Sequence, residues 1–256
     1  MVKAIFFDID GTLLSHQSGT VPLSARSAIF QLREKGIKLF TATGRHINEI
    51  QRLPVGDLPF DGYITLNGQI CLDSNRTVLY DAPISTEDTE RMTSIFEKKE
   101  IPILMIEADR VYINFINSTV RATQKAISTP LPEIGTYTGN KVYQYIVYGD
   151  EKDVHALTEQ LSWCKMSQWN PHAFDIIPLK GGKIAGIQHI LKHFGLQSQE
   201  AMAFGDGDND IEMLHHVGIG VAMGNANDAV KRHADYLTAD IDQDGVKKAL
   251  EFYGIL

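Results

Sequence analysis

At both ends of the chain, short apolar runs alternate with segments whose apolar residues recur at helical spacing, and that alternation leaves few folds open. The first run, 2–8, reads as a buried strand. After it, Ala25, Ala28, Ile29 and Leu32 fall on one helical face, with Ser24 placed to cap the helix and Gly36 to end it. Strands are expected at 37–42 and 62–66, with a short helix at 46–53 between them. Toward the other end, helices at 183–194, 208–216, 227–232 and 245–252 alternate with strands at 201–204, 219–222 and 236–238. Alternation of this kind predicts an α/β fold: a Rossmann-like, doubly wound parallel sheet with helices on both faces.

The middle, 82–179, has a different rhythm. A helix at 86–100, strands at 103–107, 111–116 and 141–148, a helix at 152–161 and strands across 164–177 read as an inserted α+β domain. Pro83 and Pro178-Leu179-Lys180-Gly181-Gly182 punctuate its ends. The core domain is then 1–81 with 180–256. Asn67-Gly68 reads as a hairpin turn leading to strands at 69–72 and 77–80. A chain of 256 residues, 43% of them hydrophobic, is long enough for two such domains.

No apolar run approaches the roughly 20 residues that cross a bilayer. Met1-Val2-Lys3-Ala4 leads straight into a strand and lacks the features of a secretory leader. Cys71 and Cys164 are far apart and in no metal-ligand spacing, so two reduced thiols in a cytoplasmic protein are expected. A formal net charge of −8 argues against nucleic acid or an anionic membrane as partner. It leaves a phosphorylated small molecule open, because a metal or local lysines reverse the field inside a pocket.

Ligands of open parallel sheets bind beyond the carboxyl ends of the strands. There the first strand ends in D-I-D-G-T, which puts Asp8 and Asp10 side by side. The second ends in T-A-T-G-R, presenting Thr43, Gly44 and Arg45. G-G-K places Lys183 at a helix start, and G-D-G-D-N-D supplies Asp206, Asp208, Asn209 and Asp210. Two carboxylates held close repel each other. A hard cation such as Mg²⁺, which takes carboxylates together with substrate phosphate, relieves that repulsion.

These four motifs, in this order, resemble those of the haloacid dehalogenase superfamily of phosphatases. With the tail G-V-A-M-G-N-A…A-D-Y-L-T…D-G-V, they resemble its Cof-type subfamily, whose members carry a large α+β cap. The resemblance implies that Asp8 is the nucleophile and Asp10 the general acid and then base. It implies that Thr43 and Lys183 hold the phosphoryl group, with Gly44 and Asn209 beside the substrate. Asp8, the backbone carbonyl of Asp10, and Asp206 would bind Mg²⁺, supported by Asn209 and Asp210. The implied substrate is a small phosphomonoester, a sugar phosphate or related metabolite. A phosphomannomutase-like phosphotransferase and a phosphate-responsive binding module are the alternatives. Related ATPases carry threonine in place of Asp10 and the dehalogenases lack this acid, so Asp10 favours a phosphatase.

Other features have plainer readings. Arg45 is expected to be a surface or salt-bridge residue. Asn67 is adequately explained by its turn, although the family resemblance implies that this asparagine often approaches the substrate. Asn225 resembles a family position that braces the acidic loop, and a helix-cap role is equally open. His189 and His193 read as a solvated helix face. Asp240 to Glu251 matches the EF-hand calcium pattern letter for letter, but the segment before it reads as a strand rather than a helix. Trp169, Asn170 and His172 form a polar-aromatic segment before the linker and could face the pocket, with a structural role the stronger expectation.

Overall fold

The computed structural model describes residues 1–127 and 129–256. Its first strands are β1 (Ala4–Phe7), β2 (Lys38–Ala42), β3 (Gly62–Thr65), β4 (Ile70–Asp73) and β5 (Val78–Asp81). Next come β6 (Ile103–Glu107), β7 (Val111–Ile113), β8 (Glu133–Ile134), β9 (Val142–Tyr148), β10 (Cys164–Asn170) and β11 (Ala173–Pro178). The last are β12 (Ala201–Gly205), β13 (Ile219–Ala222) and β14 (Tyr236–Leu237). The described residues divide into two compact units, 1–81 with 182–256, and 82–181.

In the first unit, eight strands form one sheet in the order β14-β13-β12-β1-β2-β3-β4-β5. The six from β14 to β3 are parallel, and β4 and β5 extend the sheet antiparallel. β1 lies between β2 and β12, where the chain's progress across the sheet reverses. That crevice is where an open α/β sheet builds its site.

The two-residue period of a strand explains why β1 is apolar throughout. Ala4 and Phe6 face the helix Lys183–Phe194, against Ile187, Ile190 and Leu191. Ile5 and Phe7 face the other way, into a core with Ala25, Ala28, Ile29 and Leu32 of the helix Leu23–Glu34 and Val246, Ala249 and Leu250 of the helix Gly245–Phe252. With both faces buried, alternation gives way to a continuous apolar run. One detail differs from expectation: the first helix begins at Leu23 after Pro22, and the buried Ser24 hydroxyl makes no cap and has no partner among the described residues. Proline at that boundary sets φ to −52° and leaves the start two residues earlier than the serine would place it.

The second unit is a six-stranded sheet, β10-β11-β9-β6-β7-β8, antiparallel except where β8 joins β7. Met92 and Phe96 of the helix Thr86–Lys98 and Val154 and Leu157 of the helix Glu151–Thr158 pack against Met105, Tyr145, Val147, Phe174 and Ile176. A third helix, Ser118–Ala126, lies where none was expected; Asn117 caps it by accepting from the Val120 amide at 3.0 Å.

Asn114, fully buried, staples this unit together. Its Oδ1 accepts from the amides of Ile103 and Phe115, and its Nδ2 donates to the carbonyls of Phe96 and Ile101, all between 2.9 and 3.0 Å. Each group left unpaired in a core costs about 1–3 kcal/mol. Asn114→Ala is therefore expected to destabilise the protein by about 2–4 kcal/mol, seen as a lower denaturant midpoint with the slope preserved. A midpoint unchanged from the parent would show that the staple carries no net stability.

Candidate active site

The site begins where β1 stops. Asp8 follows the last strand residue, its amide donating to Phe204 of β12 at 3.0 Å. The chain then turns through Gly11 at φ +81°, where any Cβ would collide with the Asp206 carboxylate. That close approach requires glycine. Thr12 Oγ1 donates to Asp206 Oδ1 at 2.8 Å, so the D-I-D-G-T turn and the loop after β12 are locked together.

Lys183 sits between the two. Its ammonium donates to Asp8 Oδ1 and to Asp210 Oδ1, both at 2.6 Å, and the side chain is 1% exposed. Burial alone would push this amine down; the carboxylates of Asp210 and Asp8 more than reverse it and hold it charged. Asp210 Oδ2 accepts from the amides of Asp206 and Gly207 at 2.9 Å. Both its oxygens are thus committed, one to the lysine and one to the loop. Gly205 makes room for this, since a Cβ there would lie 2.5 Å from the Asp210 side chain.

The acids repel one another. Burial pushes Asp8 well above the ordinary carboxylate range, Lys183 opposes this, and Asp210, Asp206 and Asp10 add to it. Asp206 is pushed up to about 7, by burial first and by Asp210 next, with Thr12 and Lys183 pulling the other way. Asp8, Asp206 and Asp210 can each offer an oxygen within 4.8 Å of the others. Hard oxygen donors at that spacing suit a Mg²⁺-sized cation. With Asp210 committed elsewhere, Asp8 and Asp206 are the pair best placed to hold one.

Asp10 and Thr43 meet through Arg45. Its guanidinium grips Asp10 bidentately, Nε to Oδ2 at 2.6 Å and a terminal nitrogen to Oδ1 at 2.8 Å, while its amide donates to Thr43 Oγ1 at 3.2 Å. Arg45 is a salt-bridge residue but not a surface one, its side chain being 14% exposed. Asn209 reaches the site's far side, donating to Asn67 Oδ1 at 3.0 Å. Gly44 lies beside the same amide. Asn67-Gly68 does join an antiparallel hairpin, β3 to β4, yet Asn67 is also a buried partner of two motif loops.

Asn225 settles into the bracing role. It donates to the Gly11 carbonyl at 2.8 Å and to Asp206 Oδ2 at 3.3 Å, while Asn227 caps the following helix. His189 stacks on Tyr80 with ring centroids 3.6 Å apart. The EF-hand pattern begins on Asp240 just after β14, in a short 3₁₀ turn whose Asp240 side chain accepts from the Asp242 amide. A strand in place of the first helix is not an EF-hand. His172 faces Asp150 at 3.2 Å, and Asn170 closes a turn onto the His172 amide, both inside the second unit.

Comparison with known proteins agrees with this geometry. The family described as haloacid dehalogenase-like hydrolases matches residues 5–250, and the chain belongs to it. BT1666 of Bacteroides thetaiotaomicron, a phosphatase of that superfamily, is 30% identical, covers 100% of this chain and 96% of its own, and superposes with a TM-score of 0.92. BT4131, a subclass IIB sugar phosphatase, is 35% identical over 100% of both chains with a TM-score of 0.88. The HMP-PP phosphatase of Escherichia fergusonii is 30% identical over 264 residues, 93% of this chain and 89% of that protein. The protein is accordingly an enzyme, a phosphatase of the haloacid dehalogenase type.

The raised carboxyl of Asp206 has a thermodynamic consequence. The folded protein holds that proton up to about pH 7, whereas an unfolded aspartate releases it near pH 4. Between those values the folded state binds more protons, so its stability falls as pH rises, by up to about 1.4 kcal/mol per pH unit. In chelator, the melting temperature is expected to drop by several degrees from pH 5 to pH 8, and Asp206→Asn should flatten that slope. A parent slope matched by the variant would remove Asp206 as its source.

Proposed function

We propose that this enzyme is a Mg²⁺-dependent phosphomonoesterase that hydrolyses small phosphorylated metabolites, sugar phosphates foremost, through an aspartyl-phosphate on Asp8. The observation that carries the proposal is the grip of Lys183 on one oxygen of Asp8. Asp8 Oδ2 makes no hydrogen bond among the described residues, which leaves it to attack phosphorus.

In the first step, Asp8 Oδ2 forms a bond to phosphorus as the bond to the leaving oxygen breaks. Asp10 passes its proton to that oxygen. In the second, Asp10 takes a proton from water, the water oxygen bonds to phosphorus, the bond to Asp8 breaks, and orthophosphate departs. Thr43 and Lys183 hold the non-bridging oxygens throughout, and preorganised donors of this kind supply much of the rate enhancement. Mg²⁺, held by Asp8, the Asp10 carbonyl and Asp206, would neutralise charge on the phosphoryl group and on the acids. Arg45 fixes the Asp10 carboxylate in place between the two proton transfers.

Sugar phosphates are favoured because one matched relative is a sugar phosphatase aligned over the full length of both chains. We infer that residues 82–181 act as the cap and select the leaving group.

Two outcomes are expected. Hydrolysis of 4-nitrophenyl phosphate should disappear in chelator and return with Mg²⁺; full activity after thorough metal removal would refute the metal. Asp10→Asn should be slowed about 10²- to 10⁴-fold and accumulate a phosphate adduct visible by intact mass after rapid quench. Asp8→Asn should form no adduct. An adduct on Asp8→Asn would reverse the assignment.

A further inference from the structure

Leu66, Asn67 and Gly68 take φ values of 51°, 52° and 90°, three successive left-handed residues, all buried. Glycine accepts that conformation and asparagine tolerates it, but leucine does not adopt it without support. Strain that persists in a folded protein is held by its surroundings, and it gathers at functional sites.

The surroundings here are the site's own loops. The Leu66 amide donates to the Arg45 carbonyl at 3.2 Å, and the Asn67 amide to the Thr43 carbonyl at 2.9 Å. The Asn67 side chain accepts from Asn209 at 3.0 Å. A Cβ on Gly44 would lie 3.1 Å from Asn67 Nδ2 and 3.3 Å from its Oδ1. On the other side, a Cβ on Gly68 would strike the Gly182 carbonyl and lie 3.3 Å from the Gly186 amide. Gly182 is the first residue after the second unit and directly precedes Lys183. One turn therefore touches the loop of Thr43, the loop of Asn209 and the point where the chain arrives at Lys183. A simple hairpin between β3 and β4 requires none of these contacts.

We propose that the left-handed turn Leu66–Gly68 is a positioning element that sets the spacing of Thr43, Asn209 and Lys183, with Asn67 and Gly68 as its positioning residues. The inference rests on the phosphatase reading above, because the spacing matters through the phosphoryl group those residues hold. Misplacing such groups by an ångström costs up to about 100-fold in rate.

The experiment removes the Asn67 side chain without disturbing its backbone. In Asn67→Gly, φ +52° is freely accessible, so the melting temperature should stay within a few degrees of the parent. With 4-nitrophenyl phosphate, kcat should fall about 10- to 100-fold, and inhibition by orthovanadate should weaken by a similar factor. Gly44→Ala presses on the same amide from the opposite side and should give the same pattern. Asn209→Ala combined with Asn67→Gly should lose far less than the product of the single losses.

A merely structural turn would instead lower the melting temperature while leaving kcat and vanadate inhibition of the folded protein intact. That result in Asn67→Gly overturns the proposal, and if the variant does not fold, Gly44→Ala decides by the same two readouts. A parent that fails to hydrolyse 4-nitrophenyl phosphate counts against the phosphatase reading. In that case, the melting shift caused by orthovanadate still tests the turn, and equal shifts in parent and Asn67→Gly overturn it.

Discussion

A buried ammonium between two buried carboxylates organises the first unit. Lys183 joins Asp8, just past the end of the central strand, to Asp210, at the end of the acidic loop. Removing one partner from such an arrangement leaves an uncompensated charge in the core, which is strongly destabilising. The strands on either side of β1 must therefore stop where they do, and the helix that starts at Lys183 must begin at the sheet edge. Asp210 extends the constraint by accepting two loop amides, which fixes where Asp206 points.

Around this triad the acids keep separate partners. Asp206 is oriented by Thr12 and Asn225, Asp10 by Arg45, and Asp8 by the lysine. Four carboxylates crowded at one sheet edge would otherwise be interchangeable sources of negative charge. Distinct hydrogen bonds hold the four apart, and under the proposed mechanism they separate the acid that attacks, the acid that moves protons, the acid that faces a cation and the acid that holds the loop.

The core's topology was legible because period and burial coincide there. β1 and β12 are apolar on both faces, β2 buries every residue after Lys38, and their helices repeat at 3.6 residues. The motif residues were legible because most lie just past the end of such a strand, and Lys183 follows a glycine pair at the start of a helix. What escaped depends on contacts that no spacing encodes. The helix Ser118–Ala126 is polar and rich in β-branched residues, and its one local signal is the asparagine that caps it. The pairing of Arg45 with Asp10, 35 positions away, and of Asn67 with Asn209, 142 away, exists only once the strands are side by side. Leu66 gives no hint of its left-handed backbone, since that conformation is imposed by its neighbours.

The position of β1 bears on how the protein is made. Ala4 pairs with Lys38 on one side but with Ala201 on the other. At typical rates of synthesis, about 8 to 33 s separate the emergence of those two partners from the ribosome. Through that interval β1 exposes an unpaired apolar edge, while the whole intervening unit is synthesised with its own core and sheet. Such an edge is a substrate for chaperones and for aggregation. The strand that leads into Asp8 is thus synthesised well before it is enclosed, and Lys183, Asp206 and Asp210 join its end only after the second unit has been made.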